Sequence, residues 1–210
     1  MKEFLIKNLK WIILFICLIG FLALAEDVFN KEIMNGDIIG YNIISKFLIS
    51  NSATPIAKFV TNFGGAIALS VITALLFLCI KNKKIGITIF LNLCIITGLN
   101  LVLKSILQRP RPSNYRIINE TGYSFPSGHS MISMAFYGFI IYLVYKYIKN
   151  RYLKIGLTII LSLLIVAIGV SRIYLGVHYT SDVIAGFLIA ISYLIMYINI
   201  VEKFLGRERD

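Results

Sequence analysis

Charged residues are scarce in this chain, and acidic ones are especially few. Only 15% of the 210 residues are charged, and Asp and Glu together number 10, whereas a soluble domain carries about 25% charged residues. Hydrophobic residues make up 58% of the sequence, and the mean hydropathy is +0.83. Such a chain buries its apolar side chains mostly in lipid, as helices that satisfy their own backbone hydrogen bonds. The composition therefore excludes an ordinary soluble domain.

Cysteine is also rare. The chain contains three cysteines, and their positions do not have the spacing of metal ligands. Each lies inside an apolar run, where free cysteine usually behaves as a small hydrophobic residue. We therefore interpret all three as buried hydrophobic side chains: Cys17, Cys79 and Cys94.

The sequence consists largely of long apolar runs. A helix needs about 20 apolar residues to cross the hydrocarbon core of a bilayer, and six runs approach or exceed that length. They predict spans over residues 10–26, 57–80, 85–107, 127–148, 155–175 and 181–201. The sequence thus predicts an all-α integral membrane bundle of six transmembrane helices, with one membrane-embedded domain over residues 1–210.

The basic residues predict the orientation of these spans. The formal net charge of +11 would suit a nucleic-acid partner, but 13 of the 21 Lys and Arg lie at the N-terminus, in two short loops and in the C-terminal tail. Cytoplasmic segments carry this excess in multi-pass proteins, so both termini are predicted to be cytoplasmic and a nucleic-acid partner is excluded. The basic positions are Lys2, Lys7, Lys10, Lys81, Lys83, Lys84, Lys146, Lys149, Arg151, Lys154, Lys203, Arg207 and Arg209.

The N-terminal region leaves one choice open. The first run is preceded by lysines and ends in Ala23-Leu24-Ala25, a pattern that also suits a cleaved secretory signal; we predict a retained span. In either case the chain after Asp27 begins on the outer side. Residues 27–55 then form the longest outer connection, in which a helix would present an apolar face to the membrane interface or to the bundle: Ile38, Ile39, Ile43, Ile44, Phe47 and Leu48.

Three polar segments interrupt the apolar runs on the predicted outer side. In the first, Lys104 lies near the end of a span, and Pro110 and Pro112 restrict the backbone around Arg111. A guanidinium with a restricted approach suits bidentate capture of phosphate. The alternative is a basic helix end anchored to lipid headgroups, because Lys and Arg commonly lie there.

The second polar segment opens the fourth span. Pro126 suits the start of a helix, and Ser127 and Gly128 are expected to present free backbone N–H groups at its positive end, which is a ready anion site. His129 lies one residue further along. The alternative is a serine-rich helix start with an incidental histidine.

The third polar segment combines Arg172, His178 and Asp182 at a membrane boundary, where ionisable groups usually mark a functional site. Positions 178 and 182 lie four residues apart, on one face of a helix. A carboxylate against one imidazole nitrogen selects the tautomer and leaves the other nitrogen free to attack or to accept a proton.

Together these segments indicate chemistry on phosphate. Three outward cations, the Ser127 hydroxyl and the helix-end amides match a phosphomonoester, which carries about two negative charges near neutrality. His178, oriented by Asp182, is the better nucleophile, and His129 the better general acid for the leaving alkoxide. Chemistry alone leaves a swap of the two histidines open. The cations are Lys104, Arg111 and Arg172.

Two other classes of function compete with this interpretation. A two-metal hydrolase bridges its ions with several carboxylates, and near the histidines the outward segments offer only Asp182 and Glu120. No metal and no cofactor are therefore predicted. An anion channel or transporter could use the cations as a selectivity filter, but it has no use for the paired histidine and aspartate.

These residues resemble the three-part signature of the type 2 phosphatidic acid phosphatase family. Lys104 is followed by six residues and Arg111-Pro112, the second motif is Pro126–His129, and the third is Ser171-Arg172 with His178 and Asp182. Arg109-Pro110 has the wrong distance from Lys104. The resemblance covers the six-span layout.

The resemblance implies metal-independent hydrolysis of a lipid phosphate through a phosphohistidine. It implies that His178 is the nucleophile, Asp182 its orienting partner and His129 the acid, and that five residues bind phosphate: Lys104, Arg111, Ser127, Gly128 and Arg172. Short bacterial members suggest phosphatidylglycerol phosphate or phosphatidic acid as substrate, with undecaprenyl diphosphate as the alternative. The expected location is the plasma membrane, with the site on the extracytoplasmic side. The expected partners are the lipid phosphate substrate and the bilayer, without an obligatory protein partner.

Overall fold

The computed structural model describes residues 2–31, 34–113 and 115–206, and only the backbone of residues 2–7. Within these ranges the regular structure consists of helices, and the all-α prediction is confirmed. The basic tail residues Arg207 and Arg209 lie outside the described ranges. The helices are α1 (Lys2–Phe29), α2 (Asn35–Leu48), α3 (Ala53–Asn62), α4 (Ala66–Cys79), α5 (Lys83–Leu107), α6 (Gly128–Tyr147), α7 (Arg151–Tyr174) and α8 (Thr180–Leu205).

Five helices in the described part of the chain are long and apolar enough to cross a bilayer: α1, α5, α6, α7 and α8. The predicted second span, 57–80, is two helices, because α3 and α4 meet at a bend of 51°. With this pair counted as one span, the bundle has the predicted six. The bend contains Gly64, where a Cβ would lie 2.7 Å from the Ile168 side chain. The missing side chain thus lets α7 approach the break closely.

Helix α6 forms the centre of the bundle and packs against α5, α7 and α8. Its inward face is completely buried at Ala135, Phe136 and Phe139. Interhelical hydrogen bonds add to this packing: Asn92 Nδ2 on α5 donates to the Ala135 carbonyl on α6 at 2.9 Å. Within a bilayer, packing and such interhelical bonds hold helices together, because lipid supplies no hydrophobic force between them. This core supports the end of the bundle at which α6 begins.

The connection between the first two spans contains a helix, α2, as the apolar pattern of residues 27–55 predicts. Its outward side exposes the apolar residues Ile38, Ile39, Ile43, Phe47 and Leu48, while Ile44 packs partly buried against the segment after α7. The face opposite carries Asp37, which is buried. One acidic side chain therefore points from this peripheral helix into the bundle.

The cysteine prediction is correct at one position of three. Cys17 is buried, whereas Cys79 and Cys94 are exposed. Cys94 lies on α5, which is long and apolar enough to cross a bilayer, and Cys79 ends α4, the second helix of the bent pair. Apolar character in a membrane protein therefore predicts contact with lipid or protein without deciding between them.

Candidate active site

The three polar segments meet at one end of the bundle. The Arg111 guanidinium donates from Nη1 to Nε2 of His178 at 3.0 Å, which joins the first segment to the third. The backbone N–H of Ser127 donates to the Asp182 carbonyl at 3.0 Å, which joins the second to the third. Side chains that lie far apart in the sequence, from position 104 to position 182, therefore surround one small volume.

Lys104 lies in the last turn of α5, next to the start of α6. Its ammonium donates to the backbone carbonyls of Tyr123 and Ser124. A Cβ on Gly128 would lie 3.9 Å from the Lys104 Cε and 3.0 Å from Asn100 Oδ1. The glycine thus keeps the helix start open to the lysine, as an anion site requires.

His178 and Asp182 form the expected pair. His178 Nδ1 lies 3.3 Å from Asp182 Oδ2, and both side chains are almost completely buried. The acceptor at Nδ1 and the guanidinium donor at Nε2 together assign the proton to Nδ1. Burial lowers the pKa of His178 to about 4, an effect that outweighs the opposing attraction of Asp182. The ring is therefore neutral at physiological pH and keeps an unprotonated Nε2.

Arg111 is held by backbone carbonyls on two sides. It donates from Nε to the Gly122 carbonyl, from Nη2 to the Thr121 carbonyl and from Nη1 to the Val177 carbonyl, each at 3.0 Å. Pro112 follows it and is buried. Burial lowers the pKa of Arg111, and the charge of Arg172 adds to this effect. The guanidinium is therefore a fixed and partly desolvated cation, which strengthens its attraction for an anion.

Arg172 is the most deeply buried of the three cations, with 1% of its surface exposed. It donates from Nη1 to Thr61 Oγ1 at 2.9 Å and from Nη2 to Glu120 Oε1 at 2.5 Å. Its Nε has no acceptor within the described ranges. Burial alone would raise the pKa of Glu120, but the hydrogen bond and charge of Arg172 outweigh burial and lower it. The site therefore holds a buried guanidinium with one donor still available.

His129 is the second residue of α6 and faces the bend between α3 and α4. A Cβ on Gly65 would lie 3.8 Å from its Nε2, and one on Gly64 would lie 3.2 Å from its Cδ2. The ring is within electrostatic range of Arg172 and His178. Among the side chains that the structure describes, none makes a hydrogen bond to this imidazole. Both histidines thus lie at the same end of the bundle, and the bent span formed by α3 and α4 packs against His129.

One sequence prediction about the start of α6 is wrong. The sequence predicts a Ser127 N–H that is free for an anion, but this group donates to the Asp182 carbonyl, because α8 packs closely here. The Ser127 side chain accepts from Ser130 N–H and Oγ as the helix cap. The Gly128 amide has no acceptor in the described residues. The anion-binding amides therefore begin at Gly128.

Sequence reasoning missed several residues of this site. Arg109 has the wrong spacing from Lys104 for the motif, yet it donates from Nη1 to Asp182 Oδ1 at 2.7 Å. Asp37 of α2 accepts from Arg109 Nη2, also at 2.7 Å. The available signal in the sequence was Asp37 itself, an isolated acidic residue in an otherwise apolar stretch. Thr61 had no signal, because a threonine in a helix is unremarkable until Arg172 is placed beside it.

A cavity of about 790 Å³ opens beside His178. Its walls combine apolar residues near the ends of α1 and α5, such as Phe29 and Ile106, with polar groups that include Arg109 and Asp37. This volume lies in the range of small-molecule sites. The cavity therefore connects apolar side chains near the ends of α1 and α5 to His178, while Lys104, Arg111 and Arg172 are not among its lining residues.

Comparison with known proteins identifies the family. A model described as PAP2 superfamily matches residues 59–205. A phosphatidylglycerophosphatase B of Bacillus subtilis (strain 168) is 36% identical over 107 residues, which are 50% of this chain and 52% of that protein. An undecaprenyl-diphosphatase of Sulfolobus acidocaldarius is 30% identical over 207 residues, which are 92% of each chain.

The fold agrees with a solved relative. The crystal structure of a transmembrane PAP2 type phosphatidylglycerolphosphate phosphatase from Bacillus subtilis superposes with a TM-score of 0.78 and 27% identity, over 93% of this chain and 98% of that one. The predicted family, the helical membrane fold and the phosphatase class are thereby confirmed. The chain belongs to the PAP2 superfamily.

Proposed function

We propose that this protein hydrolyses the phosphate ester of a membrane lipid, of the phosphatidylglycerol phosphate or phosphatidic acid type, through a phosphohistidine on His178. The observation that carries the proposal is the convergence of a neutral, carboxylate-oriented imidazole with three cations and a helix start. Such a set serves a tetrahedral anion on which chemistry occurs. Binding or conduction alone would not need the buried imidazole–carboxylate pair.

The three cations would hold the transferred phosphoryl group. Its transition state spreads negative charge over three equatorial oxygens. Arg111, the free Nε of Arg172 and the Lys104 ammonium supply donors to these oxygens, together with the Gly128 amide. Donors that are already fixed and desolvated stabilise developing charge most strongly, because they need not reorganise during the reaction.

His178 would then attack. A phosphate oxygen that accepts the Arg111 Nη1 hydrogen releases the Nε2 lone pair, which forms the N–P bond as the P–O ester bond breaks. The Nδ1–H remains bonded to Asp182, whose charge stabilises the positive ring. This assignment gives Asp182 an orienting role without a proton transfer.

His129 would supply the proton that the leaving alkoxide needs. In the second half of the reaction the His129 ring accepts a proton from water, the water oxygen bonds to phosphorus and the bond between phosphorus and His178 breaks. Inorganic phosphate leaves and His178 regains its neutral form. Because the imidazole of His129 makes no hydrogen bond to a described side chain, it can face substrate or water without first breaking one.

Lipid diphosphates are the second candidate substrates. The Sulfolobus relative that spans 92% of the chain is named an undecaprenyl-diphosphatase, and the same phosphate site would accept the terminal phosphate of such a lipid. The positive-inside pattern of the loops supports a plasma-membrane location with the site facing the extracytoplasmic side. Substrates would then be drawn from the outer leaflet.

Phosphate release from a panel of lipids tests the proposal. The purified protein in detergent would be assayed with phosphatidylglycerol phosphate, phosphatidic acid and undecaprenyl diphosphate under matched conditions. We expect release from a glycerolipid monophosphate with the highest kcat/KM. A higher value for the diphosphate would reassign the substrate, and no release from any lipid would overturn the proposed activity.

Activity is expected to persist in excess chelator. Groups of three or more potential metal-ligating side chains are absent from the described residues, and three nearby cations would repel a divalent ion. The measurement is lipid phosphate release after dialysis against millimolar EDTA, with a metal-dependent phosphatase assayed alongside. Loss of activity that Mg²⁺ or Zn²⁺ restores would contradict the mechanism.

A further inference from the structure

A second charged cluster contacts Oδ1 of Asp182, the carboxylate oxygen that does not contact His178. Arg109 bridges two carboxylates at 2.7 Å each: Nη1 donates to Asp182 Oδ1 and Nη2 donates to Asp37 Oδ2. Ser181 completes the cluster, because its N–H donates to Asp37 Oδ1 at 2.8 Å and its hydroxyl bonds both Asp37 and Arg109. None of these residues belongs to the three motifs except Asp182.

The cluster is built as a buried site rather than a surface ion pair. Arg109 is 9% exposed and Asp37 is 5% exposed, and the guanidinium stacks 4.0 Å from the centre of the Tyr179 ring. Burial lowers the pKa of Arg109, but the two carboxylates outweigh it and leave the pKa raised. Buried charges are tolerated only when they are paired and hydrogen-bonded. The guanidinium is therefore held in one orientation by two acids and a ring.

The balance of charge within this cluster bears on His178. Arg109 alone beside Asp182 would make a neutral pair and would cancel the negative charge that faces the imidazole. Asp37 supplies the second negative charge, so that the three groups together carry a net charge of −1. Arg109 can then hold Oδ1 in place while Oδ2 keeps its charge toward His178.

We propose that Arg109 and Asp37 are positioning residues for the reaction, which act on His178 through Asp182: Arg109 orients the carboxylate and Asp37 preserves its charge. This inference rests on the proposed role of His178. It gives helix α2 a part in positioning His178, because Asp37 connects that helix to the first turn of α8. A purely structural role would tie α2 to α8 without affecting the rate of phosphoryl transfer.

Asp37→Asn is the informative variant, since it keeps the shape and one acceptor but removes the second negative charge. We expect kcat for lipid phosphate to fall about 10- to 100-fold, as is typical when the partner of a reacting group's orienting residue is removed. The inhibition constant of inorganic phosphate should stay within about twofold, because the cations that bind it are untouched. Glu26→Gln, an exposed acid on α1, is the matched control and should leave both values unchanged.

The double variant Asp37→Asn with Arg109→Gln separates charge from structure. It removes one negative and one positive charge and so restores the net charge of −1 on the cluster, while leaving no unpaired guanidinium. We expect its kcat to recover to above that of Asp37→Asn. A structural tie would lose more with each change, so a double variant no faster than Asp37→Asn overturns the proposed charge-preserving role of Asp37.

Two further outcomes are distinguishable. If Asp37→Asn keeps the wild-type kcat, the positioning role is excluded while the proposed function stands. If the wild-type protein releases no phosphate from any lipid, the proposed function itself fails. Thermal unfolding in detergent accompanies each assay, so that a lower kcat at an unchanged melting temperature supports positioning, and a parallel loss of kcat, phosphate affinity and melting temperature contradicts it.

Discussion

His178→Ala is expected to abolish lipid phosphate hydrolysis, with a fall in kcat of about 10⁴-fold or more, as when the nucleophile of a covalent mechanism is removed. The variant has no nitrogen to form the N–P bond. A water molecule in place of the ring would not be oriented for attack, as the imidazole is by Asp182. Phosphate affinity should change much less, because the proposed phosphate-binding cations Lys104, Arg111 and Arg172 all remain in the variant. The measurement combines phosphate release with the inhibition constant of inorganic phosphate.

This variant needs a measurement that shows it is still folded. His178 is buried beside Arg111, so truncation leaves a small cavity and the Arg111 Nη1 loses one acceptor while keeping the Val177 carbonyl. The melting temperature in detergent should therefore fall only modestly. Substantial turnover by a folded His178→Ala protein would remove the nucleophile assignment and with it the phosphohistidine.

His129→Gln is expected to lower kcat on a lipid phosphate by about 10²- to 10⁴-fold, the range of a lost general acid–base catalyst. The loss should depend on the leaving group, because p-nitrophenolate departs without a proton whereas a lipid alkoxide does not. With p-nitrophenyl phosphate the first step should therefore survive and the hydrolysis step should stall. The expected result is a burst of about one p-nitrophenolate per enzyme, with phosphate trapped on the protein as an acid-labile adduct.

This experiment also decides between the two histidines, which the chemistry of the sequence could not do. With the proposed assignment, the burst occurs in His129→Gln and is absent in His178→Ala. If His129 were the nucleophile, the burst would occur in the His178 variant instead. A lack of burst in both folded variants would argue against any covalent intermediate.

The number of spans and the position of the site follow from local properties of the chain. Apolar runs of about 20 residues can only be satisfied in lipid, and ionisable side chains grouped at a membrane boundary usually mark a functional site. For this reason Lys104, Arg111, Arg172, His178 and Asp182 could be predicted to form one site before any contact was known. The structure brings all of them to the same end of the bundle.

Other features depend on close approach between helices and were invisible in the sequence. At the bend, the missing side chain of Gly64 leaves room for Ile168 of α7 and for His129. The Ser127 amide is occupied because α8 comes within hydrogen-bonding distance of it. Arg109 has a role because Asp37, 72 positions away, points from α2 into the bundle. None of these follows from spacing along the chain.

The sequence by itself determined the membrane fold and the family, and it predicted the residues that would bind phosphate, because hydropathy and motif spacing are properties of neighbouring residues. The tertiary structure alone decided which amides and guanidinium groups are free, and which carboxylates share an arginine. A hydrogen bond needs both partners within about 3 Å, and only the packing of helices that are distant in sequence sets such distances.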